Sequence, residues 1–322
     1  MTVRQLTGKL APATMTAARL TGNAVRGGLR LAVARSGRLP EKNPLPPGRM
    51  IHLEGRGDAY VVDTGAPHPG APTVLLLHGV ATTASLCWFT TVGELLADYR
   101  VVLMDQRWHG RGMQSERFSL SECSDDIDAL LAALEIEQTI VVGYSMGGAL
   151  AQVLARRHPE RISGLVLCST AMTWKGNAAE ALFYPLLSAI TFLGRRHTSS
   201  KVRGHAASLP PFAEIDDDVV QWAWSEFRST SFWSLPEVLG ELGRFDEREH
   251  MATISIPTVV VVSDNDKVIG AERQLEMAAA VPDAVAFHAP GGHASVVLDA
   301  ERWLPVFVEA LGHLTGVVEA AA

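Results

Sequence analysis

At 322 residues the chain is long enough for one large domain, or one domain carrying an insertion, with a sizeable buried core. Its 47% hydrophobic and 20% charged residues and net charge of -7 describe a globular chain and argue against nucleic acid as a partner. The charge is uneven: residues 1–50 hold nine Lys or Arg against one acid, Glu41, giving +8, while the remainder carries -15, so a basic arm is set apart from an acidic body.

The arm and linker occupy residues 1–48. Val3, Leu6, Leu10, Ala17 and Leu20 recur at roughly helical spacing, but Pro12, Gly22, Gly27 and Gly28 interrupt any single long helix. An arm that packs on the acidic body or stays disordered is one reading; weak contact of this weakly amphipathic cationic segment with an anionic membrane surface is the other. The stretch from Leu39 to Gly48 is a linker, because its prolines cannot donate ladder hydrogen bonds.

Met50–Leu53 and Ala59–Val62 flank a Gly-rich turn and predict a hairpin; the Arg56-Gly57-Asp58 triplet in that turn is read as turn chemistry. Thr73–Leu77 is a continuous apolar strand running into His78-Gly79-Val80-Ala81, followed by a helical run to Leu96 and a strand at Arg100–Met104. Ser121–Leu134 predicts a helix with Ile127, Leu130, Leu131 and Leu134 on one face. Further strands are predicted at 139–142 and 164–168, with a helix over 146–157 between them. The rhythm is lost over 173–250, a Trp- and Phe-rich stretch with helical patterning that reads as an insertion. It resumes with a strand at 257–262, a helix at 271–280, a strand at 284–288 and a helix at 300–314. Apolar strands alternating with helices predict an α/β domain whose mostly parallel sheet is covered on both faces, built from 49–172 and 251–322.

Cys87, Cys123 and Cys168 lack C-x-x-C spacing and are expected as unpaired core or near-core thiols of a reducing compartment. The N-terminus lacks the apolar core of a secretory signal, and no apolar run of about 18 residues predicts a membrane span. A cytoplasmic protein, peripheral to the membrane if the arm engages it, is therefore expected. The histidines offer no metal-ligand spacing, and no cofactor motif is present, so neither metal nor cofactor is expected.

Gly143-Tyr144-Ser145-Met146-Gly147 fits G-x-S-x-G and lies between a predicted buried strand and a predicted helix, which places Ser145 on a sharp turn where a nucleophile would be exposed. A serine hydroxyl needs a base and an orienting acid. The loop Ser263–Val268 supplies the carboxylates Asp264 and Asp266, and the Gly-rich loop Ala289–Ser295 supplies His293. His288 is the competing imidazole, but it falls in or at the end of a strand, whereas His293 sits on a loop able to bring the ring over Ser145. His78 and His109 are expected as hydrogen-bonding residues of their turns.

Through His78-Gly79, Asp105-x-Arg107-x-His109-Gly110, the Ser145 turn, the loop carrying Asp266 and Gly292-His293, the chain resembles α/β-hydrolases with an inserted cap, from Met50 to the last helix. That resemblance implies an α/β-hydrolase fold with a helical cap, or lid, at 173–250. It also implies Ser145, Asp266 and His293 as nucleophile, acid and base, with Val80 and Met146 backbone N–H groups forming the oxyanion hole. Ser263 stands where the family has Gly in Gly-x-x-Asp, which keeps Asp264 in contention. Trp108 stands where Gly is usual, and Gly112 where Ser is frequent. Trp108, Trp224 and Trp233 are candidate pocket residues. The implied activity is cleavage of an ester or similar acyl bond of a small to medium apolar substrate through an acyl-enzyme. Carbon–carbon bond hydrolases and cofactor-free perhydrolases use the same three residues, and a non-catalytic binding protein on this scaffold is the rival from another class.

Overall fold

The structure, a computed structural model, describes residues 45–175, 219–230 and 235–321. Eight strands form one sheet: β1 (Arg49–Leu53), β2 (Gly57–Asp63), β3 (Thr73–Leu77), β4 (Arg100–Met104), β5 (Thr139–Tyr144), β6 (Ile162–Cys168), β7 (Thr258–Ser263) and β8 (Val285–Ala289). Their order is β1-β2-β4-β3-β5-β6-β7-β8. β1 and β2 make the expected hairpin, with Ile51 opposite Ala59, and β2 runs antiparallel to β4; from β4 to β8 every pairing is parallel.

Alternation along the strands divides the core between the two faces of the sheet. Leu75, Leu77, Val141, Leu165 and Val260 face one layer, with helices α3 (Leu120–Ala133), α4 (Met146–Arg157) and α8 (Ala271–Ala280) over it. Val74, Leu76, Ile140, Val142 and Val261 face the other, covered by α1 (Ala84–Trp88), α2 (Val92–Leu95) and α10 (Ala300–Ala321). Ser119 caps α3 by accepting from Glu122 N–H, and Thr83 caps α1 by accepting from Leu86 N–H.

Several boundaries differ from the sequence expectation. The predicted run to Leu96 breaks at Phe89–Thr91 into the two short helices α1 and α2. The last helix continues past Leu314 to Ala321, with no Pro in 315–321 to interrupt it. At 22 residues this helix has the length and hydropathy of a membrane span, yet Trp303, Phe307, Ala310, Leu311 and Leu314 are buried against the sheet. All three cysteines are buried and free.

Of the stretch 173–250, the described residues contain α5 (Val219–Ser229), α6 (Leu235–Arg244), α7 (Arg248–Met251) and a bridge between Thr173 and Asp246. A buried acid, Glu226, and a half-buried one, Glu237, tie α5 and α6 to the sheet domain. Glu226 accepts from Thr83 Oγ1 at 2.6 Å and pairs with Arg111 at 3.1 Å, and Glu237 accepts from Phe118 N–H at 2.8 Å. Residues 1–44 and Trp233 lie outside the described residues, and so does the side chain of Trp224 on α5. The Arg56 of the hairpin turn donates to Asp126 and to Glu122 Oε2 of α3, which is a structural use for that turn.

Candidate active site

Ser145 stands between the end of β5 and the first residue of α4 with φ 55 and ψ -116, a conformation that a residue with a side chain adopts only under constraint. The constraint is backbone crowding. A Cβ on Gly143 would lie 2.4 Å from Gly147 O, and one on Gly147 would lie 2.1 Å from Leu77 O, so strand, turn and helix approach to distances that only glycine permits. Ser145 N–H donates to Cys168 O at 3.0 Å, which anchors the turn to β6.

The Ser145 hydroxyl lies 2.9 Å from His293 Nε2, and His293 Nδ1 lies 2.8 Å from Asp266 Oδ2. A carboxylate can only accept, so Nδ1 carries the proton and Nε2 is left to accept from the serine. Two loops supply these groups, and their main chains are joined: Asp264 N–H donates to Ala289 O and Asn265 N–H to Gly291 O. The His293 loop is also held from below, since Tyr144, next to the serine, donates its hydroxyl to His293 O at 2.5 Å. Tyr144 is itself wedged edge-on between Trp88 and Trp303.

Burial alone would raise the Asp266 carboxyl, but the hydrogen bond from His293, its charge, and the N–H groups of Ile269 and Val268 together hold it below the ordinary aspartate range. Asp266 is therefore anionic whenever His293 needs orienting. Asp264, its rival in the sequence, instead meets His288 at 2.8 Å, and both of those side chains are exposed. The two competing residues thus pair with each other, away from Ser145.

Of the other residues singled out, Gly79 lies with its Cβ position 3.5 Å from Ser145 Cβ, so the main chain of Val80 starts beside the serine. Met146 is the first residue of α4, whose leading N–H groups lack intrahelical partners and whose dipole is positive at this end. His78 is buried with Nδ1–H donating to Gly79 O and Nε2 accepting from Gln106 N–H; burial drives it down to about 4 and keeps it neutral. His109 is likewise buried and lowered to about 3. Trp108 adopts φ 67, the backbone region of the glycine it replaces. Its ring is half-buried beside Phe118, with Nε1–H donating to Ser115 Oγ at 3.1 Å. A Cβ at Gly112 would lie 2.1 Å from Gln106 O, so this loop has no room for a side chain there.

Sequence reasoning missed Tyr144 and Gln274. Gln274 of α8 is fully buried and donates Nε2–H to Asp266 Oδ2 at 3.0 Å, while its Oε1 accepts from Ser263 N–H. The available signal was a polar residue on the stripe that Met277 and Val281 mark as core-facing. Ser263, which replaces the usual Gly, pairs its hydroxyl with Ser169 Oγ at 2.7 Å across β6 and β7.

Against known proteins, residues 72–300 match the alpha/beta hydrolase fold family. RutD of Serratia proteamaculans (strain 568), provisionally named a carbamate hydrolase, is 26% identical over 262 residues, spanning 76% of this chain and 92% of that protein. Among solved structures, a hydrolase from Pseudomonas aeruginosa PA01 superposes with a TM-score of 0.64 at 24% identity, covering 82% of this chain and 98% of that one. The enol-lactonase from Burkholderia xenovorans LB400 superposes at 0.63 and 21% identity, covering 82% and 100%. At these identities the two structures speak to the fold alone.

Proposed function

The chain belongs to the alpha/beta hydrolase family, and from that premise we propose that it is a serine hydrolase cleaving an ester or similar acyl bond, carbamates included, of a small to medium apolar substrate. The observation that carries this reading is the unbroken relay from Ser145 Oγ to His293 Nε2 and from His293 Nδ1 to Asp266 Oδ2, set on a strained strand-to-helix turn.

In this mechanism Ser145 attacks the acyl carbon as His293 takes its proton, and the imidazolium is oriented and stabilised by Asp266. The tetrahedral oxyanion forms at the α4 N-terminus, where the N–H groups of Met146 and Val80 receive it; one such donor is typically worth ~2.7–4 kcal/mol in the transition state. His293 then protonates the departing alcohol or amine. Water, deprotonated by the same imidazole, attacks the acyl-enzyme and releases the acid. Asp264 and His288 take no part.

The described helices α5 and α6 of 173–250 belong to a cap beside the acyl site. The Trp222 ring on Phe89 and the Glu226 contact to Thr83, three residues beyond Val80, support that placement. Turnover of p-nitrophenyl esters from acetate to octanoate, alongside a carbamate ester, tests the function. Each buried methylene contributes about 0.8 kcal/mol, close to fourfold in kcat/KM, so efficiency rises with acyl length until the site is filled. Highest efficiency on acetate would refute the apolar site, and no turnover of any acyl substrate would refute the reading as a whole. The related protein's name supports including the carbamate in that panel.

A further inference from the structure

We propose that Gln274 is a positioning residue for the proposed acid–base pair, its side-chain amide locking the Asp266 carboxylate against the end of β7 so that a single oxygen faces His293. The inference rests on the triad reading above and adds a residue to it.

The orientation of this amide follows from its partners. Ser263 N–H can only donate and the Asp266 carboxylate can only accept, so Oε1 must face the first and Nε2 the second. Asp266 thereby receives four donors: Val268 and Ile269 N–H on Oδ1, at 2.8 and 3.0 Å, and His293 Nδ1 and Gln274 Nε2 on Oδ2. Two come from its own loop and one from His293 on the loop after β8, while Gln274 reaches it from the helix α8. Because the same amide also holds Ser263, it fixes the carboxylate relative to the sheet, so the acid does not rely on its loop alone.

The groups facing this carboxylate are therefore His293 from the loop after β8, Gln274 from α8 and the two main-chain N–H groups. The neighbouring charges point elsewhere: Asp264 meets His288, Arg273 donates to Thr173 O, and Lys267 and Glu272 are exposed. Donation from Gln274 spreads the negative charge on Oδ2 and limits how strongly it favours the protonated imidazole. Removing the amide, as with a Met of similar size, takes this donor from Oδ2 and lets it favour the imidazolium more strongly, whereas a Glu there, too close to Asp266 for both carboxyls to ionise in this buried site, holds a shared proton and keeps a donor on Oδ2.

The test is the pH profile of kcat/KM on p-nitrophenyl acetate for the full-length chain, Gln274→Glu and Gln274→Met, each with its melting temperature. In Gln274→Met, which removes the donor without adding charge, the acid limb moves to higher pH by up to about one unit, with KM little changed on the alkaline plateau. Gln274→Glu, which keeps a donor on Asp266 through the shared proton, leaves the limb close to the parent. Acid limbs that coincide with the parent in both variants, with only the melting temperature lowered, would make Gln274 a packing residue and overturn the proposal. Full activity in Ser145→Ala would instead overturn the triad itself, so the two failures are distinct.

Discussion

Replacing Asp266 by Asn while leaving its size unchanged separates the two carboxylates that compete in the sequence. In the folded chain both oxygens of Asp266 face donors only: main-chain N–H groups on one side, and His293 Nδ1 and Gln274 Nε2 on the other. An amide must turn its NH2 towards one of these pairs. Facing the main chain, it sets N–H against two N–H groups that cannot move. Facing His293, it is satisfied only if the ring changes tautomer, which makes Nδ1 an acceptor and puts the proton on Nε2. An imidazole protonated at Nε2 cannot accept the Ser145 proton. The loss expected for a wrong tautomer at intact geometry is about 10⁴ in kcat, equivalent to ~5.5 kcal/mol. Asp264→Asn breaks only an exposed pair with His288, of a kind worth ~0–1 kcal/mol, and leaves kcat within a few-fold of the parent. The assay is ester hydrolysis at saturating substrate, with circular dichroism to show that both variants fold. Comparable losses in the two variants would refute the assignment of the acid.

The buried, neutral His78 and His109 cannot take up protons at pH values where the unfolded chain, titrating near 6.5, does. Their contribution is therefore full above about pH 6.5 and declines as pH falls towards the folded values near 4 and 3. Together they take about 2 kcal/mol between pH 7 and 5.5. Asp105 and Glu226, raised by burial, act in the opposite sense, so urea unfolding that shows higher stability at pH 5.5 than at 7 would contradict the dominance of the imidazoles. Gly147→Ala drives a Cβ into Leu77 O and costs several kcal/mol, read as a fall in the urea midpoint, whereas Gly316→Ala, with open space around it, is neutral or slightly stabilising. For the basic arm, full-length protein co-sediments with anionic vesicles at low salt, and a chain starting near Pro40 does not while keeping its esterase rate. Binding unchanged by the truncation would remove that role.

The parts of this site that were legible in the sequence are those set by short-range spacing. Gly143, Ser145 and Gly147 announce a tight turn because the residues that must be small are neighbours in the chain, and the apolar runs on either side announce the strand and helix that make it tight. The order of the later loops likewise placed Asp266 and His293 at adjacent strand ends. The contacts that bind these loops into one site were not legible. The Tyr144 hydroxyl reaches His293 O from the end of β5, the Gln274 amide crosses from α8 to Asp266, and the Ser169 and Ser263 hydroxyls meet at the ends of neighbouring strands. Such hydrogen bonds leave no periodicity, because they depend on the register of whole elements. The break between α1 and α2 was hidden for a related reason: Trp88, Phe89 and Val92 are all buried, so the apolar pattern runs on while the backbone turns. Trp108 shows the converse, a residue unlike the family glycine that nonetheless adopts the glycine's φ.

The central claim is that Ser145 is a nucleophile activated by His293. A fluorophosphonate with an apolar chain, followed by intact mass and peptide mapping, tests it most directly. One phosphonyl group per chain is expected, located on Ser145, formed far more slowly in His293→Ala and Asp266→Asn and absent in Ser145→Ala. A folded parent protein that takes up no label, or a label on another residue with hydrolysis undiminished in Ser145→Ala, would contradict it.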